Sequence, residues 1–323
     1  MHVLSSNTSD NLGTSRYSIR QSLTSKCTLL AIYILMSSSS NFEPNRLVTN
    51  RNPWESRTDH ANHRVSEANG HSNGHNAPIT TFSLPTSEPA SELYATSSAS
   101  ISIRAFLLGV ILGSCSILTV YLSLLPTPLW RLPFFASALS LFHFLEYQTT
   151  ALYNPTVATV SAFLLSQNGW AYNVAHICAF VECAFRWHCY PDVHMASEKL
   201  QNLYLGLGFA LMIMGQGVRT TAMTHAGANF NHQLQHRKKE GHVLVTDGIY
   251  RFLRHPSYFG FFWWGLGSQI VLGNGFCFVG YAVALWRFFM QRIAREENLL
   301  IGFFGMNYVR YKDNTRVGIP FIS

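Results

Sequence analysis

The sequence predicts an all-α, polytopic membrane protein with about six transmembrane helices, the last two forming a helical hairpin. Three observations predict this. Only 12% of the 323 residues are charged while 48% are apolar, a balance that favours a membrane protein over a soluble globule of this length. Apolar runs long enough to cross a bilayer recur after residue 101. The last two runs are separated only by Gly273-Asn274-Gly275, a break short enough to make them antiparallel neighbours.

Residues 1–100 are rich in Ser, Thr, Asn and His. Such a segment buries too little apolar surface to offset chain entropy, so a disordered polar extension is expected, with 101–323 as the membrane-embedded domain. Its apolar run, residues 27–36, is about ten residues and too short to span. The candidate spans are residues 103–125, 132–153, 170–187, 203–223, 258–272 and 276–290. The second holds His143 and Glu146, and buried charge there is expected to tie helices together. In the third, Glu182 and Arg186 are four apart and are expected to pair with each other. Glycines in the fourth suit close helix approach. The fifth is short, which predicts a tilted or partly re-entrant hairpin, and its Phe-Phe-Trp-Trp run at 261–264 is expected to contact lipid.

The six cysteines, Cys27, Cys115, Cys178, Cys183, Cys189 and Cys277, form no CxxC pair and read as apolar packing residues, with Cys189 a candidate for palmitoylation. The net charge of +7 is spread through the polar head and the loops beside apolar runs, which argues against a nucleic-acid partner. Arg219, Arg237, Lys238, Lys239, Arg251 and Arg254 crowd the 219–255 region, and Arg292, Arg295, Arg310, Lys312 and Arg316 the tail. Both are therefore expected on the cytosolic side, with the termini and the polar site.

Two polar blocks carry the chemistry. The stretch Arg251-Phe-Leu-Arg-His-Pro-Ser-Tyr-Phe-Gly260 sets ionisable groups at the mouth of an apolar run, where they mark a polar ligand site, and Pro256 frees backbone groups there. Arg292-x-x-Arg295-Glu296-Glu297 leaves the last run, and on a helix Arg292, Arg295 and Glu296 share a face. The hairpin returns this block towards Arg254, His255 and Tyr258, a set suited to an amino-acid-like group. His232 and His236 have metal-ligand spacing on a helix, but no further ligand completes a set, and no metal is expected.

These blocks resemble the isoprenylcysteine carboxyl methyltransferases. The matching text is Gly227-Ala-Asn-Phe-Asn-His232, His242-Val-Leu-Val245, Thr246-Asp-Gly-Ile-Tyr250, Arg254-His-Pro-Ser-Tyr258, Arg292-x-x-x-Glu296-Glu297 and Phe303-Phe-Gly-x-x-Tyr308-x-x-Tyr311-Lys312. The resemblance implies methyl transfer from S-adenosylmethionine to the C-terminal carboxylate of a prenylated cysteine, in an endoplasmic-reticulum membrane with a cytosolic cofactor pocket. Substrates would be CaaX-processed proteins such as Ras- and Rho-like small GTPases and lipidated peptides, and homo-oligomerisation stays open. By the same resemblance Gln235, His242, Val243, Leu244, Val245, Tyr250, His255, Pro256, Ser257, Tyr258 and Glu296 line the cofactor site, and Arg292 holds the substrate carboxylate. Similar tails occur in other membrane lipid methyltransferases and in sterol reductases, which remain the alternatives.

Overall fold

The computed structural model describes residues 88–165, 168–189 and 197–323. The expectation of disorder for the polar head falls outside these residues up to position 87, as does Cys27. Seven helices make up the described chain: α1 Glu88–Ser123, α2 Arg131–Tyr153, α3 Gly169–Cys189, α4 Glu198–Ala226, α5 Pro256–Leu272, α6 Gly275–Phe304 and α7 Met306–Asn314. Among the described residues the only strand-like pairing is an isolated parallel bridge between Leu253 and Arg316.

Helix α1 starts inside the polar head, earlier than the apolar run. Its Ser98–Ser123 stretch has a mean hydropathy of 2.2 and turns most of its apolar side chains outward, as a lipid-facing helix does. Helices α2 and α4 are less apolar because they bury polar groups, His143, Glu146 and Arg219 among them.

The closest helix pair is α4 on α5. Two glycines on each helix, seven residues apart, meet in antiparallel register, Gly208 against Gly267 and Gly215 against Gly260. A Cβ on Gly215 would lie 2.5 Å from the Gly260 carbonyl oxygen, and one on Gly267 would lie 2.8 Å from that of Gly208. The helices touch backbone to backbone, the use that small residues have at membrane helix crossings. This crossing draws the aromatic run of α5 inward. Phe262 and Trp264 are core residues, and Trp264 packs on Phe142 of α2 with ring centroids 4.8 Å apart. The expected lipid contact at 261–264 is therefore corrected, because the glycine face of α5 leaves its neighbours nowhere to point but into the bundle.

The α5–α6 turn is short, as expected. Gly273 ends α5 at φ 75°, a left-handed value that favours glycine. Asn274 donates to the Ala179 carbonyl at 2.9 Å and to Gln269 Oε1 at 3.0 Å. Glu182 does not pair with Arg186. Its two carboxylate oxygens instead accept from the amides of Phe276 and Cys277, at 2.9 and 2.7 Å. The open N-terminus of α6 offers free donors and positive potential, which outcompete a flexible arginine on the same helix. Helix α6 continues past the apolar run to Phe304 and carries the second polar block on its last turns.

At the other end of α5 a buried ion pair joins three helices. Arg219 of α4 donates through Nε and Nη2 to the two carboxylate oxygens of Glu146 on α2, and through Nη1 to Ser257 Oγ at 2.8 Å and the Ser257 carbonyl at 3.1 Å on α5. Glu146 is 1% exposed and Arg219 6%. The helix-tying role expected of Glu146 is thus filled, with Arg219 as partner.

Gly215→Leu is expected to destabilise the protein by at least roughly 1–3 kcal/mol, since the obstacle is backbone that cannot rotate away. Gly217→Ala faces open space and should stay within about 0.5 kcal/mol of the parent. Arg219→Ala strands the Glu146 carboxylate and should cost about 3–5 kcal/mol, of which Glu146→Gln in the same chain restores part. Thermal midpoints in detergent check all three.

Candidate active site

Tyr258, in the first turn of α5, connects the two polar blocks. Its hydroxyl donates to Glu296 Oε2 at 2.5 Å and accepts from Arg292 Nε at 3.1 Å. The Tyr258 ring lies between His255 and Phe289, with centroids 5.5 and 5.1 Å away. Arg292 also donates through Nη2 to the His232 carbonyl at 2.8 Å. Arg292 and Glu296, one helical turn apart on α6, thus meet one phenol. The third member of the expected face, Arg295, points to solvent.

Glu297, the next residue along α6, faces another way and is buried. It accepts from Arg254 Nε at 2.6 Å, His255 Nε2 at 3.1 Å and Lys312 Nζ at 2.6 Å. Burial alone would raise its pKa, but the hydrogen bonds from His255, Lys312 and Arg254 outweigh that and hold it at about 2. Arg254 also binds the tail through its Nη1 to the Thr315 carbonyl at 2.6 Å and its amide to the Arg316 carbonyl at 2.9 Å. This cluster clamps the Arg-His-Pro segment between α6 and the C-terminal tail.

His232 is not on a helix, so its spacing to His236 has no metal-binding meaning. Its ring is set by Thr150 Oγ1, 3.2 Å from Nε2, and by Glu146, 3.7 Å from Nδ1. Burial lowers its pKa to about 4; Glu146 acts against this, and Arg219 and Arg292 reinforce it. Asn154 at the end of α2 donates to the carbonyls of Ala228 and Phe230, at 3.3 and 2.9 Å, which fixes the Asn-Phe-Asn-His segment over this network.

The remaining expected site residues line or flank a second region. An open cleft of about 470 Å³ is bounded by Lys238, His242, Val243, Leu244, Thr246, Phe304, Asn307 and Arg310. Val245 lies half-buried between two lining residues, and Gln235 lies on the loop that leads to Lys238. The His242 ring packs edge-on against Phe304, with centroids 5.3 Å apart, and burial together with Lys238 and Lys239 lowers its pKa. The Val243 amide donates to Asn229 Oδ1 at 3.0 Å, and among the described residues nothing pairs with the amides of Leu244 and Val245. Tyr250 is anchored by its hydroxyl on the Ala222 carbonyl at 3.2 Å, while its own carbonyl accepts from Tyr311 at 2.7 Å. His255, Pro256 and Ser257 are buried, and Ser257 is occupied by Arg219.

Sequence reasoning missed Arg219 as a support for the site, Glu297 as the hub for Arg254, and Phe304, Asn307 and Arg310 as walls of the cleft. An arginine within an apolar span was the available signal for the first. Nothing in the sequence distinguishes the inward from the outward member of two adjacent glutamates.

A family model described as the isoprenylcysteine carboxyl methyltransferase (ICMT) family matches residues 207–302, which hold the whole of α5 and both polar blocks. A protein-S-isoprenylcysteine O-methyltransferase of Saccharomyces cerevisiae is 42% identical over 224 residues, covering 69% of this chain and 91% of that protein. The one of Homo sapiens is 38% identical over 232 residues, covering 72% and 78%. A solved structure of the eukaryotic intramembrane Ras methyltransferase ICMT is similar with a TM-score of 0.62 and 36% identity, over 70% of this chain and 78% of that one. Identity of this extent over more than two thirds of those relatives shows that this chain belongs to the isoprenylcysteine carboxyl methyltransferase family.

Proposed function

We propose that this chain transfers a methyl group from S-adenosylmethionine to the C-terminal carboxylate of a prenylated cysteine, in CaaX-processed proteins such as Ras- and Rho-like small GTPases. The observation that carries this reading is the Arg292–Tyr258–Glu296 cluster, where a cation and an anion are both held at the mouth of membrane helices. Arg292 commits Nε and Nη2 to neutral oxygens, and among the described residues its Nη1 has no partner. Nη1 is therefore the donor left for a substrate carboxylate.

The residues present fit the methyl donor. Val243, Leu244 and Phe304 give the cleft apolar walls, Asn307 and Thr246 give it polar ones, and the amides of Leu244 and Val245 suit the edge of an adenine. Gln235, His242 to Val245 and Tyr250 would hold the nucleoside end. Glu296, with Oε1 unused among the described residues, would hold the ammonium of the amino-acid end beside the His255 to Tyr258 segment. When bound, that donor supplies a methyl group on a positively charged sulfur.

The chain's own part is to bind, orient and exclude water. A prenylcysteine carboxylate is already ionised at neutral pH, so no side chain has to remove a proton. Arg292 aligns the carboxylate through its free Nη1, the guanidinium plane being fixed by Tyr258 and the His232 carbonyl. The buried aromatic surround of Tyr258, His255 and Phe289 keeps the place poor in water, which favours a reaction that cancels opposite charges. Alignment of this kind supplies up to roughly 7–11 kcal/mol. The apolar helices receive the prenyl chain, and esterification then removes a charge and deepens the product's partition into the bilayer.

In this reading the six long helices span the endoplasmic-reticulum membrane, with the site and both termini cytosolic. The support is that Arg237, Lys238, Lys239, Arg251, Arg295, Arg310 and Lys312 all gather at the end of the bundle that holds the site.

Labelled methyl transfer to a farnesyl-cysteine analogue in membranes is the direct test; transfer to phosphatidylethanolamine alone would overturn the reading. Arg292→Ala should lower turnover about 100-fold or more while donor affinity changes less than about threefold. Equal losses in both would remove Arg292 from the substrate side. Because His232 binds its proton less readily folded than unfolded, its contribution to stability is fully present above about pH 6.5 and is lost as pH falls through about 4. The charged groups that face it are Glu146, Arg219 and Arg292. His232→Gln should flatten the dependence of the thermal midpoint between those two pH values.

A further inference from the structure

Two cations sit at the end of the bundle farthest from Arg292. Helix α5 has 17 residues and is about 25 Å long, so the α5–α6 turn lies near the opposite edge of a hydrocarbon layer of about 30 Å. There Trp187 of α3 donates through Nε1 to the Leu272 carbonyl at 2.8 Å. The guanidinium of Arg131 lies 4.3 Å from the Trp187 ring and that of Arg186 lies 5.0 Å from it. Arg131 also lies 4.7 Å from the Trp130 ring, and its Nε donates to the Val271 carbonyl at 2.9 Å.

Arg131 has a local reason to be there, since a cation at the C-terminus of α5 offsets the helix dipole. Arg186 has none. Among the described residues its buried Nε has no hydrogen-bond partner, and the nearby carboxylate of Glu182 is committed to the α6 amides. Among the described residues neither arginine forms an ion pair. Two un-neutralised guanidiniums gathered on one indole repel each other, and that arrangement is relieved by an anion placed between them.

We propose that Arg131 and Arg186 form a binding site for an anionic phosphate group on the membrane face opposite the methyl-transfer site. A guanidinium fork matches phosphate oxygens in pairs, and the flanking Trp130 and Trp187 occupy the depth at which indoles meet lipid headgroups. The proposal rests on the helices spanning the bilayer and is independent of the methyl-transfer chemistry.

The full chain in nonionic detergent is offered short-chain phosphatidylglycerol, the matching phosphatidylcholine, or inorganic phosphate, and bound ligand is read by native mass spectrometry. Phosphatidylglycerol should be retained at concentrations about tenfold or more below phosphatidylcholine, a comparison that needs no variant. Arg186→Gln and Arg131→Gln should each weaken that retention about tenfold, Arg186→Lys less, and Arg295→Gln at the opposite end not at all. Equal retention of the two lipids, or equal loss in Arg295→Gln, overturns the site. Failure of inorganic phosphate to displace phosphatidylglycerol assigns the site to a lipid headgroup. Displacement at millimolar phosphate assigns it to a free anion.

Discussion

The Glu146–Arg219 pair is the contact on which the rest of the arrangement depends. A carboxylate buried in a helical bundle costs several kcal/mol unless it is met by an equal charge in good geometry. Arg219 meets that demand by reaching across from α4, and its remaining Nη1 closes on Ser257 at the start of α5. Arg219 can reach both because Gly215 and Gly260, one turn away on their helices, let the two backbones touch. With side chains at those positions α4 and α5 would separate, and Arg219 would reach one partner but not both. The close crossing and the ion pair therefore require each other, and together they set where α5 begins. Tyr258 is the next residue after Ser257, so the site inherits its position from the buried charge pair.

The same pair reaches Arg292 by a second route. Glu146 and Thr150 lie one turn apart on α2 and hold the His232 ring between them. That fixes the loop from which the His232 carbonyl accepts the Arg292 guanidinium. Arg292 is thus placed by two groups, Tyr258 and His232, that trace back to one buried carboxylate through different helices. A loop residue alone would position it poorly; a loop residue tied into helix α2 does so well. The tail adds a third constraint, because Glu297 collects Arg254, His255 and Lys312 and so locks the segment that carries Tyr258 against α6 and α7.

Much of this was legible in the residues. Hydropathy placed four of the six long helices close to their positions, and the Gly-Asn-Gly break placed the hairpin. The glycines of α4 announced a close crossing without naming the partner. What hydropathy misjudged follows from its nature. It ended the last apolar span at residue 290, while the helix runs on through Arg292 to Glu297 as their shared face required, since those residues are good helix formers and only their polarity changes. It sent Phe262 and Trp264 to lipid, because an apolar face looks the same whether it meets a lipid or another helix. The Glu182–Arg186 pairing failed because spacing along one helix cannot reveal the free amides of another. Tyr258, Arg292 and Glu296 were named because their motif sits at helix ends, and the structure brings them into contact; Phe304, Asn307 and Arg310, which line the cleft, were not named, because a cleft wall needs only shape.

The placing of Tyr258 between Arg292 and Glu296 has a chemical logic of its own. One turn apart on α6, the two charges would ordinarily form a direct ion pair, and a substrate carboxylate would then have to displace Glu296 before it could bind. The phenol prevents this by taking one hydrogen bond from Arg292 and giving one to Glu296, so each charge is oriented while its remaining hydrogen-bonding capacity stays open. The His232 carbonyl does the same for Arg292 on its other side. A neutral pair of acceptors orients a guanidinium without neutralising it, and an oriented, un-neutralised guanidinium is what a carboxylate nucleophile needs. The grip also stays moderate, for a carboxylate bound by one free Nη1 keeps more of its electron density than one clamped by both arms of the fork. Tyr258 thus keeps the two charges from pairing with each other, which in the proposed function leaves one for a substrate carboxylate and the other for a donor ammonium.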